Sequence, residues 1–347
     1  MSKVALTFHT GGVYTVDTDG WELIDSGGEA DIYRFNMGGK GYIAKVFTEK
    51  YTALAKPIER VAEMLRRLTR IRRRCGGAIP SSLIGRGLPV AFGAFENRAV
   101  LVFHELKDFT TVSELIATPD LLEEYVSRHP PEERRAFARR LLTGIACLEA
   151  ADIVHVDLTT ANTAYGSLEG ERGVFLFDYE TAGLMGAEDY PLIVLPARDA
   201  YYLPVEALKE AGINIDQPDP GELPLNLSPS QLPDEIISWL TWTPTWYGLQ
   251  LVAYVHAGVS LFYGLPMLSP KHWLEILEGE AQRGYPGSWP PLTMLDQGYL
   301  DQSEHLELTK IWRDLGEDYV ALVYQVFIAD PAEKMQKPTQ TISSILR

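Results

Sequence analysis

The sequence predicts an α+β fold of two lobes, a β-rich N-terminal lobe followed by a larger helical lobe. Short apolar runs separated by glycine-rich turns fill most of the first 103 residues, and this pattern is typical of antiparallel hairpins. One helical segment is expected among them, from about Ala53 to Arg74. Beyond Thr111 the pattern changes to helices, and a cleft is expected between the two lobes.

Individual elements follow from the same reading. The strands are expected in seven segments: VALTF, VYTV, WELI, DIYRF, YIAKVF, PVAFGAF and AVLVF. The helices begin with VSELIAT and PEERRAFARRLLTGIACLEAAD, the second with proline in its first turn. A further strand pair is expected around Thr163 to Phe177, and the proline-rich stretches Asp216–Glu235 and Tyr285–Leu292 are interpreted as connectors.

Composition excludes some classes of protein. The 347 residues are 46% hydrophobic, enough for a sizeable core, and the net charge of −16 argues against a protein that binds nucleic acid with its whole surface. Cys75 and Cys147 are the two cysteines and are interpreted as reduced thiols. No signal-peptide core follows the start of the sequence. We therefore predict a cytoplasmic protein.

Two segments invite other interpretations. The apolar stretch Leu249–Leu268 is long enough to span a bilayer, but polar residues and Pro266 interrupt it. We predict a buried core helix there and no membrane span. The segment Arg66–Arg74 contains six arginines and could contact nucleic acid or an acidic partner. We favour a solvated helix end, whose cations suit the helix dipole.

Four elements, in order, supply residues suited to one chemical site. A turn with Gly27 and Gly28 joins two strands and lets backbone N–H groups approach a phosphate. Lys45 lies inside the apolar strand YIAKVF and must either extend its amine to solvent or meet an anion, such as a nucleotide phosphate. Asn162 and Asp178 offer the oxygen ligands that Mg²⁺ prefers. Asp157 is then free to accept a proton from an attacking hydroxyl.

These residues resemble the signature set of the protein kinase-like superfamily. The segment HVDLTTAN is similar to the catalytic loop H-R-D-L-x-x-x-N at His155, Asp157, Leu158 and Asn162. The strand lysine Lys45 and the triplet DYE at Asp178 stand where that family has its lysine and its metal-binding D-F-G. The resemblance implies a bilobal protein kinase-like fold, with an extension at 1–20, an N-lobe at 21–105 and a C-lobe at 106–347.

The resemblance also implies the ligands and their contacts. ATP and Mg²⁺ are the expected cofactors, with the adenine in an apolar slot and backbone hydrogen bonds from the connector His104–Lys107, which includes Glu105. His155 is expected to brace the loop rather than carry a proton. A helix glutamate is expected to pair with Lys45, with Glu63 favoured over Glu59. The expected slot residues are Ile24, Ile32, Ile43, Ala164 and Phe177.

Departures from the family pattern shape the predicted function. Asp25 and Ala30 replace two loop glycines, Val156 replaces the arginine before the catalytic aspartate, and Glu180 replaces the glycine of the metal triplet. Without that arginine, phosphorylation of the activation segment has no basic partner at this position. We predict a serine/threonine protein kinase of prokaryotic type that needs no such phosphorylation. The alternatives are a small-molecule kinase, supported by DYE and Thr159, and a nucleotide-binding pseudokinase.

Overall fold

The computed structural model describes a chain of mixed α and β structure. The Val156–Asp157 pair and most of the chain between residues 188 and 247 lie outside the described part, as do the predictions that fall on them. The described residues are 3–9, 11–73, 75, 88–155, 158–187, 192–196, 222–227, 248–249, 251–266, 268, 270–283, 288–313, 316–317, 319–321 and 323.

All seven predicted strand segments form strands of one antiparallel sheet. Their bounds are β1 Lys3–Phe8, β2 Val13–Asp17, β3 Glu22–Ser26, β4 Ala30–Met37, β5 Lys40–Phe47, β6 Ala91–Phe95 and β7 Arg98–His104. The strand order is β2-β1-β6-β7-β5-β4-β3. The hairpin β1–β2 joins the sheet through β6, where Ala5 lies opposite Ala94. The approach is so close that a side chain at Gly93 would collide with the Ala5 carbonyl oxygen.

Strand β5, an interior strand between β7 and β4, is covered on both faces, because successive side chains point to opposite sides of a sheet. Tyr42, Ala44 and Val46 enter one apolar cluster, on the outer face. Phe47 enters a second cluster on the opposite face. Lys45 therefore lies on the second face, where β4 and β7 place Ile32 and Leu101 opposite it.

Eight helices have their full bounds within the described residues. They are α1 Glu49–Ala55, α2 Pro57–Ile71, α3 Val112–Ala117, α4 Pro119–Arg128, α5 Pro131–Ala150, α6 Pro270–Arg283, α7 Thr293–Asp296 and α8 Gln302–Arg313. The helix expected from Ala53 to Arg74 is thus two helices. Thr48 caps α1, and Lys56 between them adopts a left-handed conformation with φ 46°. Pro57 then starts α2, as its fixed φ allows.

The helical lobe packs around one large apolar core. Trp289 and Trp312 are almost fully buried in it, together with residues of α5 and of the helical stretch 251–257. This stretch confirms a buried helix in the segment Leu249–Leu268, but a shorter one, because Gly258 ends it in a left-handed conformation with φ 74°. Within the described residues, no helix is both long enough and apolar enough to cross a membrane.

Three small sheets complete the described structure. Their strands are β8 Lys107–Thr111, β9 Ile153–Val154, β10 Thr163–Leu168, β11 Glu171–Leu176, β12 Gly183–Leu184, β13 Leu192–Pro196 and β14 Glu222–Leu227. The predicted pair β10–β11 also binds β8, and β9 pairs with β12. Strand β14 pairs with β13, although the sequence predicted a connector at Asp216–Glu235. Its leucines alternate at every second residue, as in a strand, and the flanking prolines obscured this period.

The two cysteines are joined, which contradicts their interpretation as reduced thiols. A disulfide links Cys75, just beyond the end of α2, to Cys147 in α5, with their Cα atoms 5.7 Å apart. Spacing along the sequence gave no sign of this pairing, because 72 positions separate the two residues. Since disulfides persist mainly in oxidising compartments, the cysteines no longer support a cytoplasmic location. That location stays a prediction.

Removing the disulfide should lower stability without changing the fold. Closing a loop of 72 residues restricts the unfolded chain, so the variant C75S/C147S should lose about 3 to 4 kcal/mol of unfolding free energy. Urea unfolding, followed by circular dichroism with and without a reductant, measures this loss. The reductant should destabilise the natural chain and leave the double variant unaffected. Equal stability of the natural chain and the double variant, both measured without reductant, would contradict this prediction.

Candidate active site

A cavity of about 420 Å³ opens between the sheet and the end of β11. Six of the eight residues predicted to bind the cofactor line it, together with Asp178, whereas Glu105 and Ala164 do not. The lining residues are Ile24, Asp25, Gly27, Gly28, Glu29, Ala30, Ile32, Ile43, Lys45, Phe103, Phe177 and Asp178.

The apolar part of the cavity comes from both lobes. Ile32 on β4 and Ile43 on β5 line it from the sheet, and Phe103 on β7 lies opposite Ile43 in the sheet register. Phe177, at the end of β11, lines the other side and packs against Phe109, with ring centroids 5.9 Å apart. An apolar slot of this kind suits a flat aromatic ring such as adenine.

The turn between β3 and β4 leaves open space in front of Gly28 and only an ordinary contact, with the Ala30 carbonyl oxygen, in front of Gly27. The Gly27 N–H donates a hydrogen bond to the Ala30 carbonyl at 2.9 Å, which closes the turn. A Cβ atom at Gly28 would meet no atom of the described protein within 4 Å. Neither glycine has a positive φ, so backbone conformation does not require glycine here. A ligand that comes close to the backbone gives a physical reason for both glycines.

Lys45 is held at the inner end of the cavity by two carboxylates from the other lobe. Its Nζ atom lies 2.9 Å from Oδ1 of Asp178 and also contacts Oε1 of Glu180. Only 14% of the lysine side chain is exposed. Burial alone would lower the pKa of Lys45, but the charges of Glu180 and Asp178 outweigh it and raise that pKa above its ordinary value. The amine therefore stays positively charged.

The expected pair between Glu63 and Lys45 is absent from the structure. Both carboxylate oxygens of Glu63 bind Arg66, and one of them also lies 2.9 Å from Arg67, on the same helix. The inward face of α2 carries Arg60, whose guanidinium donates to the Ala55 and Ala182 carbonyls at 3.0 and 2.7 Å. Glu63 is thus paired along its own helix and not with Lys45.

Glu59, the alternative partner, is no better placed. It is exposed on the first turn of α2, and Lys45 has Asp178 and Glu180 as its ion-pair partners. Burial raises the pKa of the Glu180 carboxyl, an effect that the charge of Lys45 opposes. The sequence offered one signal for Glu180: a charged residue stands between Tyr179 and Ala182, which both become buried. The resemblance to the family identifies Glu180 only as a replaced glycine.

The backbone brings the two predicted metal ligands together. The Phe177 N–H donates to the Asn162 carbonyl at 3.1 Å, so Asn162 lies beside the strand end that carries Asp178. Asn162 is buried, and its backbone N–H donates to the Thr159 carbonyl. Asp178 adopts a left-handed conformation with φ 63°, and 40% of its side chain is exposed. One amide and one carboxylate suit Mg²⁺, which takes its other ligands from substrate phosphates and water.

His155 braces the same region. It is fully buried, its Nε2 atom lies 2.8 Å from the Phe177 carbonyl, and its ring packs against Tyr179 at 4.7 Å. This agrees with the structural role predicted for it. Asp157, the predicted proton acceptor, lies outside the described residues, but its neighbours His155 and Leu158 are both buried. The described residues on either side of the Val156–Asp157 pair are therefore both in the core.

Glu105 and Ala164, the two other residues predicted to bind the cofactor, are not in the cavity lining. The Glu105 N–H donates to the Gly41 carbonyl at 3.1 Å, and its side chain binds Arg34 at 2.7 Å. Ala164 is fully buried within the small sheet, opposite Thr111. The N–H of Glu105 is therefore engaged with the neighbouring strand and is not free for a ligand.

The cavity has an excess of negative charge. Asp25 and Glu29 line it beside the glycine turn, and Asp178 lines its inner end, against the single lysine. An anionic ligand would meet this excess at short range, where charges interact strongly. A divalent cation held by carboxylate and amide oxygens would offset this excess for an anionic ligand.

Comparisons with known proteins support the fold. No protein-family model matches the chain, and no curated protein is significantly similar in sequence. The crystal structure of the PF14_0431 kinase domain is 14% identical, with a TM-score of 0.50, and the match covers 95% of this chain and 96% of that one. A rhoptry kinase from Toxoplasma gondii is 13% identical over 99% of this chain and 82% of its own, with a TM-score of 0.48. The kinase domain of Mycobacterium tuberculosis PknI is 11% identical over 95% and 96%, with a TM-score of 0.42.

The first of these matches agrees with the architecture described above. An antiparallel sheet in the N-terminal lobe is followed by a helical lobe, and the cavity lies between them. The chain therefore has the bilobal protein kinase fold that the sequence predicted.

Arg60 should be essential for stability next to the site. Replacing it with methionine removes the donor of two buried carbonyl groups, so Arg60→Met should cost about 2 to 4 kcal/mol of unfolding free energy. Arg66→Met on the same helix is the matched control, because the Arg66 ion pair is exposed and should contribute less than about 1 kcal/mol. Urea unfolding of both variants measures the difference. Similar losses in the two would contradict the role given to Arg60.

Proposed function

We propose that the protein transfers the γ-phosphoryl group of ATP to a hydroxyl group. The observation that carries this proposal is the contact between Lys45 Nζ and Asp178 Oδ1, 2.9 Å long, at the inner end of an apolar cavity with a glycine turn. A lysine and a carboxylate that reach the same point can serve the phosphates and the metal of one nucleotide. The kinase fold supports the same reading.

The roles of the residues follow from their chemistry. Lys45 would hold phosphate oxygens, and Asn162 and Asp178 would hold Mg²⁺. Bound Mg²⁺ supplies positive charge that neutralises the phosphates. Asp157, assigned by its resemblance to the family loop, would orient the hydroxyl and accept its proton. The bond from the hydroxyl oxygen to the γ-phosphorus forms, the bond from that phosphorus to the β–γ bridging oxygen breaks, and ADP leaves.

The favoured acceptor is a serine or threonine of a protein, and the segment after Asp178 would need no phosphorylation. A small-molecule acceptor is the alternative. It is favoured by Thr159, which stands where protein-serine kinases have a lysine and whose hydroxyl accepts a hydrogen bond from the Asn162 N–H at 3.2 Å. The acidic residues Asp25 and Glu29 beside the glycine turn favour the third reading, a pseudokinase with weak nucleotide binding.

Phosphoryl transfer from γ-labelled ATP tests the proposal. Purified protein is incubated with Mg²⁺ and with three sets of acceptors: protein, peptides and small alcohols. We expect label on a protein or peptide hydroxyl. Label only on a small alcohol would support the alternative acceptor. No transfer to any acceptor, with nucleotide still bound, would support the pseudokinase.

Asp178 should be necessary for turnover. Asp178→Asn keeps the size of the side chain but removes the charge expected to bind the metal, so kcat should fall at least 100-fold, or about 2.7 kcal/mol of barrier. Glu169→Gln is the control, because Glu169 forms an exposed ion pair with Lys40 outside the cavity lining. Rates with labelled ATP measure both. Near-normal turnover of Asp178→Asn would defeat this assignment.

Gly28 should affect ligand binding but not stability. A side chain here meets open space, so Gly28→Val should leave the unfolding free energy within about 0.5 kcal/mol of the natural value. The same side chain would occupy the space proposed for phosphate, so affinity for ATP with Mg²⁺ should fall at least tenfold. Thermal unfolding and isothermal titration measure the two effects. Unchanged affinity would place the phosphates elsewhere.

A further inference from the structure

We infer that Glu180 is the positioning residue for Lys45, in the place that the sequence predicted for a helix glutamate. This inference rests on the proposed function, since it concerns how the phosphate-binding lysine is held. Glu180 Oε1 contacts Lys45 Nζ, and only 3% of the Glu180 side chain is exposed. The carboxylate is therefore shielded from water and faces its cationic partner.

The Glu180 backbone is fixed by its own surroundings. Glu180 lies in a single 3₁₀ turn, Tyr179–Thr181, directly after Asp178. Tyr179 is almost fully buried and packs on the His155 ring, and the carbonyl of Ala182 accepts a hydrogen bond from Arg60. Both sides of the turn are thus anchored in the core. A carboxylate on such a turn can hold a lysine in one position.

Asp178 and Glu180 differ in exposure, which suits one to bind a metal ion and the other to hold Lys45. The Asp178 side chain is 40% exposed and lines the cavity, so it can turn toward a metal ion. Glu180 is buried behind it and does not line the cavity. When Asp178 turns to the metal, Lys45 keeps a carboxylate partner that holds its ammonium group in place beside the phosphates. Glu180 supplies that carboxylate.

Helix α2 offers no competing partner. Glu63 is bound by Arg66 and Arg67, and Glu59 is exposed. The helix is instead tied to the backbone of the other lobe, because Arg67 donates to the Asp152 and Met185 carbonyls at 3.0 and 2.9 Å. The carboxylate partner of Lys45 therefore comes from the segment after β11, and α2 contributes to its position only indirectly, through the Arg60 hydrogen bond to the Ala182 carbonyl.

The first test is nucleotide binding by three variants. Glu180→Gln removes the charge with little change of shape, and Glu180→Asp keeps the charge on a shorter side chain. Glu63→Gln tests the helix glutamate. We expect affinity for ATP with Mg²⁺ to fall at least tenfold in Glu180→Gln, to fall less in Glu180→Asp, and to change less than twofold in Glu63→Gln. A larger effect of Glu63→Gln than of Glu180→Gln would overturn the inference.

The second test needs no nucleotide and no turnover. A double-mutant cycle of Lys45→Met and Glu180→Gln measures their coupling in the unfolding equilibrium constant. We expect a coupling of at least fivefold for this pair, and less than twofold for Lys45→Met with Glu63→Gln. If the natural protein neither binds ATP nor transfers phosphate, the proposed function fails, and this cycle still decides whether Glu180 holds Lys45. Equal coupling in the two cycles would refute it.

Discussion

The ion cluster of Lys45, Asp178 and Glu180 is the interaction on which the rest of the site depends. Its cation comes from the interior strand β5 of the sheet, and both carboxylates come from the segment after β11 in the other lobe. Removing such charges from water is costly, so each must have its partner in place. The sheet register, the end of β11 and the 3₁₀ turn must all be correct at once, and together they fix where the two lobes meet.

Helix α2 connects the same two lobes by a different means. Val61 belongs to the apolar cluster under the sheet, whereas Met64 and Leu68 belong to the large core of the helical lobe. Between these layers, Arg60 and Arg67 bind backbone carbonyls of the other lobe. Apolar burial therefore provides most of the adhesion, and the arginines fix the orientation. Arg67 of the arginine-rich stretch, and Arg60 that precedes the stretch, thus have a structural role.

The sequence was sufficient for much of the fold. The seven strands were predictable because apolar runs alternate with glycine turns, and the position of Lys45 followed from its place inside such a run. Asn162 and Asp178 were predictable as neighbours because Asn162 directly precedes β10 and Asp178 closely follows its antiparallel partner β11. The partner of Lys45 could not be predicted, because the sequence does not show which side chains of α2 face the site. Arg60 occupies the inward position that Glu63 was expected to take.

The disulfide has a mechanical consequence for the whole chain. The lobes are already joined by the connector that leaves β7, and the bond from Cys75 to Cys147 adds a second covalent joint where α2 meets α5. Two bodies joined at two points keep one easy rotation, about the line through those points. If the cavity opens, the lobes then rotate about the line through these two connections. The part of the cavity edge farthest from that line moves the greatest distance.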